Sequence, residues 1–179
     1  MLENASRIVV AGAGSIGCYV GGQLAAAGKA VTFLARPRVA DEIRRAGLKI
    51  VNLDGTERLL PPDRLSLTQD PATAFDKARI ILVAVKSGAT QEMAGLIARY
   101  APADSIVVSL QNGVGNADVL QKNLPESMTV IAGMVPFNVV QSDAGALPLT
   151  VRRTTQGTIL VENKVEGLAE ALSTPDLPV

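Results

Sequence analysis

A chain of 179 residues with 47% apolar and 19% charged side chains, its 17 basic groups balanced by 17 acidic ones, suits one well-cored globular domain over residues 1–179 and argues against disorder. Zero net charge, with no basic run of five or more, gives no electrostatic case for nucleic acid or an anionic membrane, and the longest aliphatic run, Ile80 to Val85, falls far short of the roughly 20 residues of a membrane span. Histidine is absent, which removes the commonest general acid and metal ligand and any Ser-His or Cys-His pair; with no dense Asp/Glu loop either, no metal site is expected.

Short β-branched runs alternate with amphipathic stretches, so the expected fold is α/β, a Rossmann-type doubly wound, mostly parallel sheet covered by helices. In chain order, Arg7 to Ala13 reads as a first strand. Ser15 to Ala27 reads as a helix with Ile16, Val20 and Leu24 on one stripe and Gly28 at its end. Ala30 to Ala35 is the second strand and Arg38 to Ala46 a short helix. Residues 48–55 (LKIVNLDG) and 64–70 (RLSLTQD) are expected as strands around a turn, with Pro61 and Pro62 between them. Ile80 to Lys86 reads as a buried strand, followed by a helix from Thr90 with Met93, Leu96, Ile97 and Tyr100 at i, i+3, i+4 and i+7. Ser105 to Leu110 is the next strand, Asn116 can cap a helix carrying Val119, Leu120 and Leu124, and Met128 to Val135 supplies a further strand. Leu149 to Thr154 and Thr158 to Val161 flank TQG and resemble a terminal β-hairpin, before a short helix around Val165 to Leu172. No repeat, low-complexity segment or linker interrupts this order.

Gly12, Gly14 and Gly17 make G-x-G-x-x-G directly after a strand and at the start of a helix. The first allows the tight turn, the second admits a pyrophosphate, and the third lets helix and strand approach. Free N–H groups and the helix dipole then attract the diphosphate. Gly21 and Gly22 read as packing residues with no ligand role. At the end of the second strand, where an NAD site usually carries an acid for the ribose 2'-hydroxyl, stands Arg36. A guanidinium there can take a 2'-phosphate, which favours NADP; the alternative is a solvated arginine, and Arg38 is a weaker candidate one step further out. Lys86 follows six aliphatic residues, so its ammonium would emerge at the mouth of the crevice, or would simply snorkel from a buried strand. Asn112, before Gly113, offers donors and an acceptor to a ribose or substrate hydroxyl, or is a plain turn residue. The single cysteine, Cys18, cannot form an internal disulfide and reads as packing. With no basic and apolar leader at the start, a soluble cytoplasmic protein is expected.

The segments AGAGSIG, FLARP, VAVKSGAT and SLQNGVGN, in that order and spacing, resemble the amino-terminal domain of the 2-dehydropantoate 2-reductase (ketopantoate reductase) family along essentially the whole chain. The resemblance implies NADPH-dependent reduction of a 2-keto acid, most specifically 2-dehydropantoate to pantoate in the route to pantothenate and coenzyme A. On matching positions it implies a cofactor loop of Gly12, Ala13, Gly14, Ser15, Ile16 and Gly17, a 2'-phosphate arginine at Arg36, a cofactor-contacting lysine at Lys86 and a nicotinamide-side asparagine at Asn112. Asn138 and Val139 would line the nicotinamide edge, with Phe137 and Asn138 departing from the family pattern. Members of the family continue into a helical domain that supplies the lysine donating the proton. That domain is expected to be absent from this chain, so no catalytic residue is expected in it.

Two other readings share these motifs: another two-domain NADP-dependent hydroxy-acid or sugar-phosphate dehydrogenase, and a non-catalytic Rossmann domain that senses nucleotide. Apolar residues at Met134 to Val140 and Leu149 to Val161 would be bare without a second domain, so a homo-oligomer through that face is expected.

Overall fold

The computed structural model describes residues 7–113 and 115–179; the reading of the first six residues as lacking a leader lies outside them. The β-branched runs form β1 Ile8–Ala11, β2 Val31–Leu34, β5 Ser66–Thr68, β6 Ile80–Val83, β7 Ile106–Ser109 and β8 Thr129–Met134, which pair in parallel. A short strand, β11 Leu160–Val161, joins β8 antiparallel at the edge. The order is β11-β8-β7-β6-β1-β2-β5. Every residue of β1, β2, β6 and β7 is buried, because both faces of this sheet are covered; hence their unbroken apolar runs.

Successive residues of each strand point to opposite faces and so feed two clusters. Val9, Ala11, Ile81, Val83 and Val107 pack with Phe75, Ala94, Ile97 and Leu120, which stand on helices α3 Pro71–Phe75, α4 Thr90–Tyr100 and α5 Asn116–Asn123. Ile8, Val10, Phe33, Leu82 and Val108 pack instead with Cys18, Tyr19 and Leu24 of α1 Ser15–Ala26 and with Leu48, Ile50 and Val151. These last three belong to a second sheet of β3 Leu48–Val51, β4 Glu57–Leu60, β9 Val139–Gln141 and β10 Leu149–Arg153, in the order β4-β3-β10-β9. Helix α1 therefore lies between two sheets. An added Cβ at Gly21 would fall 2.5 Å from Phe33 of the first sheet, and one at Gly22 would fall 2.7 Å from Ile50 of the second, so both act as packing residues, as expected. The remaining helices are α2 Pro37–Ala46 and α6 Leu168–Leu172.

Three expectations are corrected. The segment at 48–55 pairs with β4, not with 64–70, which crosses to the first sheet as β5 beside β2. Three of the four β4 residues are exposed, so β4 carries no apolar alternation from which to read a strand. The expected terminal β-hairpin does not form: β10 lies between β3 and β9, and β11 joins β8. The Arg153 guanidinium instead stacks 4.1 Å from the Phe137 ring centre and donates from Nε to the Thr155 carbonyl at 3.0 Å and from Nη2 to the Gly157 carbonyl. Gly157, at φ +148, packs so tightly on Pro136 that a Cβ would lie 2.9 Å away. The TQG bend is thus drawn onto Pro136–Phe137 and cannot close on itself. Finally, Gly115 caps α5 and Asn116 is its first residue.

Helix α2 is tied to the segment preceding β10. Glu42, 4% exposed, accepts both oxygens' worth of bonds from Arg38 Nη1 at 2.9 and 2.8 Å and a third from the Gly145 N–H at 2.8 Å. Burial alone would raise its carboxyl, but the Gly145 amide and the Arg38 guanidinium outweigh it and hold it below the ordinary value. A depressed folded-state value means that the stability contributed by the ionised group is complete above about pH 4.3, the ordinary glutamate value, and is lost as pH falls through the lower folded value. Glu42→Gln should cost about 1–3 kcal/mol near neutrality and make the acid-side fall in stability shallower. Urea melts across that range check this; parallel acid limbs for the two proteins would contradict it.

Candidate functional site: the carboxyl edge of the parallel sheet

The register of the parallel strands sets the site. Ala11 is level with Leu34 and Val83, Val83 with Ser109, and Ser109 with Ala132, so these strands end along one line. Neighbours of β1 lie on opposite sides of it, with β2 reached next along the chain and β6 only later, so the strand order reverses between β1 and β6. Such a switch point opens a crevice outside the carboxyl ends of the strands.

The glycine turn lies at that crevice. Gly12 has φ +110, and a Cβ there would sit 2.7 Å from Val85 Cγ1, so the turn both needs the left-handed region and abuts the end of β6. A Cβ at Gly17 would fall 2.0 Å from the Gly12 carbonyl oxygen. Gly14 is different. It is exposed, and nothing lies within 4 Å of its Cβ position. Its backbone is extended, at φ −81, and no side chain caps the start of α1. Open space therefore meets an uncapped helix N-terminus without acids in its first turn, an arrangement that fits a dinucleotide diphosphate. Ala13 is buried while Ser15 and Ile16 are half-buried. The Cys18 N–H donates to the Gly14 carbonyl at 2.8 Å and its thiol to the Ala13 carbonyl at 3.4 Å. Burial pushes that thiol up to about 12, against a smaller opposing effect of Arg38, so Cys18 stays neutral and serves as packing.

Arg36, Lys86 and Asn112 stand two or three positions beyond the aligned ends of β2, β6 and β7, and all three are exposed. Neither Arg36 nor Lys86 has an ion-pair partner among the described residues, whereas Arg38 is taken by Glu42. Arg36 precedes Pro37 at the start of α2 with φ −65 and ψ 154, so the chain turns sharply there and leaves the arginine at the rim. Val139 is not in this row. It begins β9 of the second sheet, level with Arg153, and packs half-buried on the α1 side.

Buried polar side chains lie under the rim, and the sequence by itself gives Gln111 among them no role. Gln111, next to Asn112, is 7% exposed and donates from Nε2 to the Val85 carbonyl at 3.0 Å and to Thr90 Oγ1 at 2.6 Å. The signal was faint: a glutamine after a buried strand resembles any loop residue until its partners, 21 and 26 positions away in sequence, are known. Among the described residues no group of His, Cys, Asp or Glu could hold a metal ion, and no helix is long and apolar enough to cross a membrane.

A glycine turn at the switch point of a mostly parallel sheet defines a Rossmann-type domain of the kind found in nicotinamide-dependent oxidoreductases. The chain belongs to the ketopantoate reductase PanE/ApbA family, whose model matches residues 8–164. A 2-dehydropantoate 2-reductase of Halobacterium salinarum is 37% identical over 142 residues, covering 79% of this chain and 45% of that protein. The crystal structure of a PanE/ApbA family ketopantoate reductase from Ralstonia eutropha JMP134 superimposes with a TM-score of 0.80 at 31% identity, covering 96% of this chain and 55% of that one. A glycerol-3-phosphate dehydrogenase (NAD(P)+) of Bifidobacterium longum subsp. infantis is 38% identical over 113 residues, 60% of this chain and 32% of that protein. The chain thus spans about half the length of the relatives it matches.

Gly17 and Gly14 separate fold from site. Gly17→Ala forces a Cβ into backbone and should lower stability by about 1–3 kcal/mol. Gly14→Ala enters open space in an ordinary extended conformation and should stay within about 0.5 kcal/mol of the parent. Thermal melts of both decide; equal destabilisation would mean that Gly14 is held by packing after all.

Proposed function

We propose that this chain is the NADPH-binding half of an enzyme that reduces a 2-keto acid, most specifically 2-dehydropantoate to pantoate. The observation that carries this reading is the open, uncapped helix start at Gly14, set in a row with the exposed cations Arg36 and Lys86 and the amide of Asn112. NADPH, when bound, supplies the hydride that reduces the keto carbonyl. The amides of the Gly12–Gly17 turn and the start of α1 hold the diphosphate. The Arg36 guanidinium, which has no carboxylate partner among the described residues, takes the 2'-phosphate through charge-assisted bonds. The Lys86 ammonium balances negative charge at the mouth of the crevice, and the Asn112 side chain orients a hydroxyl or amide on the nicotinamide side. Histidine, the commonest general acid, is absent from this chain; by the family resemblance the proton for the new alcohol comes from a lysine in the part of the relatives that this chain does not span. The likeness to a glycerol-3-phosphate dehydrogenase over 113 residues favours a second reading, another NADP-dependent two-domain dehydrogenase acting on a hydroxy acid or sugar phosphate.

Arg36→Ala should weaken NADPH roughly 10-fold to 150-fold, the worth of a charge-assisted bond, while leaving NADH nearly unchanged. Added salt should narrow the gap, since the pair is exposed. Titration calorimetry with both cofactors reads this, and an equal loss for the two would show that Arg36 supports the loop without reading the phosphate. The 179-residue chain should bind NADPH yet turn over 2-dehydropantoate far more slowly than about one per second, the lower range for enzymes; a steady-state rate at or above that figure would refute the half-enzyme reading.

Self-association belongs to the same proposal. Of the apolar residues expected to be bare, Val135, Phe137, Leu149, Val151 and Ile159 are instead buried in the core; Met134 and Leu160, paired across β8 and β11, and Val140 on β9 are each 57% exposed, and bare apolar groups of this size recruit partners. Light scattering should give a mass above that of the monomer at high concentration; a monomer throughout would count against it.

A further inference from the structure

Lys86 and Asn112 are exposed side chains on two separate loops, and the loops are joined underneath by buried polar groups. Thr90, 1% exposed, lies in the first turn of α4, with its Oγ1 2.8 Å from the Ser87 carbonyl and 3.2 Å from Asn116 Oδ1, so its one proton serves either acceptor. The same oxygen accepts the Gln111 Nε2 donor, whose other hydrogen goes to the Val85 carbonyl. Ser109 Oγ donates to Gln111 Oε1 at 3.3 Å. Asn116, 6% exposed, donates from Nδ2 to the carbonyls of Asn112 at 3.0 Å and Gly113 at 3.2 Å. Ser87 Oγ adds a bond to the Asn112 carbonyl at 3.2 Å. The carbonyls on both sides of Lys86, and that of Asn112 itself, are therefore held by a single set of side chains. Val85 carries the same set to the glycine turn, because its Cγ1 abuts Gly12.

We infer that Thr90, Gln111 and Asn116 form a buried polar clamp that fixes Lys86 and Asn112 as one unit, and that this clamp sets how tightly the nicotinamide-side half of a dinucleotide is held. The inference rests on the dinucleotide reading proposed above. If the diphosphate lies at the Gly12–Gly17 turn and the 2'-phosphate at the end of β2, the other half of the ligand extends across the switch point towards the ends of β6 and β7. The three clamp residues are positioning residues, since none of them presents a polar atom at the rim. Buried networks of this kind are satisfied as a whole or lose more than one bond at once, so removing one hydroxyl should loosen both loops.

Thr90→Val keeps shape and removes the shared oxygen. It should raise the Kd of both NADPH and NADH by roughly 3-fold to 10-fold, the worth of a hydrogen bond, and leave adenosine 2',5'-bisphosphate unchanged, because that fragment reaches only the glycine turn and Arg36. Thr90→Ser, which keeps the hydroxyl, should bind like the parent. Gln111→Met should repeat the Thr90→Val pattern and serves if Thr90→Val does not fold. Calorimetry on the 179-residue chain with the three ligands reads all of this. Undiminished NADPH binding by a folded clamp variant, or an equal loss for adenosine 2',5'-bisphosphate, would overturn the clamp while leaving the dinucleotide reading intact. Failure of the parent chain itself to bind NADPH would overturn that reading and the clamp with it.

Discussion

An added Cβ at Gly17 would lie 2.0 Å from the Gly12 carbonyl oxygen, and the rest of the structure depends on that approach. Helix α1 can rise directly from the end of β1 only because this position has no side chain. Four residues on, Gly21 lets the same helix sit against Phe33 and Val10, and Gly22 lets Ile50 and Leu48 close on its other side. A helix covered on both sides has no need of a polar face, which is why α1 is apolar nearly all round. Its few polar groups find partners within the sandwich: the Tyr19 hydroxyl donates to Asn52 Oδ1 at 3.0 Å. Wider residues along this stripe would move α1 outward, separate the two sheets and shift the helix start away from the β1–β6 junction.

Placing the helix start at that junction joins packing to chemistry. The first-sheet strands end level with one another because their parallel ladders leave no freedom of register once both faces are buried. Side chains a few positions past those ends then share one rim. What keeps the rim in shape differs along it. On the β2 side the Pro37 ring and the Arg38–Glu42 pair turn the chain into α2. On the β6–β7 side buried amide and hydroxyl groups take over, in a place where apolar residues could not have satisfied the loop carbonyls.

Arg36 and Arg38 show how local sequence and fold divide the outcome. Both are exposed arginines beside Pro37. Arg38, the second residue of α2, comes within 2.8 Å of the buried Glu42 one turn further on. Arg36, still in extended backbone, has no carboxylate partner among the described residues. The distinction comes from helical periodicity acting on neighbouring residues, since Glu42 is four positions from Arg38.

Local features sufficed for most of the first sheet and for the glycine turn. The G-x-G-x-x-G spacing, the aliphatic runs at Val9, Ile81 and Val107 and the stripe of Ile16, Val20 and Leu24 each act through near neighbours, so the α/β class, the order of the main strands and helices, and the positions of Arg36, Lys86 and Asn112 at strand ends were legible directly. Long-range pairing was not. The partner of β3 is β4, an exposed strand without apolar period, and then β10, about a hundred residues away in the chain. The bend at Thr155–Gly157 has the local residues of a hairpin turn, but Arg153 and Phe137 draw it elsewhere. The same holds for the buried links among Thr90, Gln111 and Asn116. Polar groups in a core declare themselves only by the partners that satisfy them, and those partners are chosen by the tertiary structure.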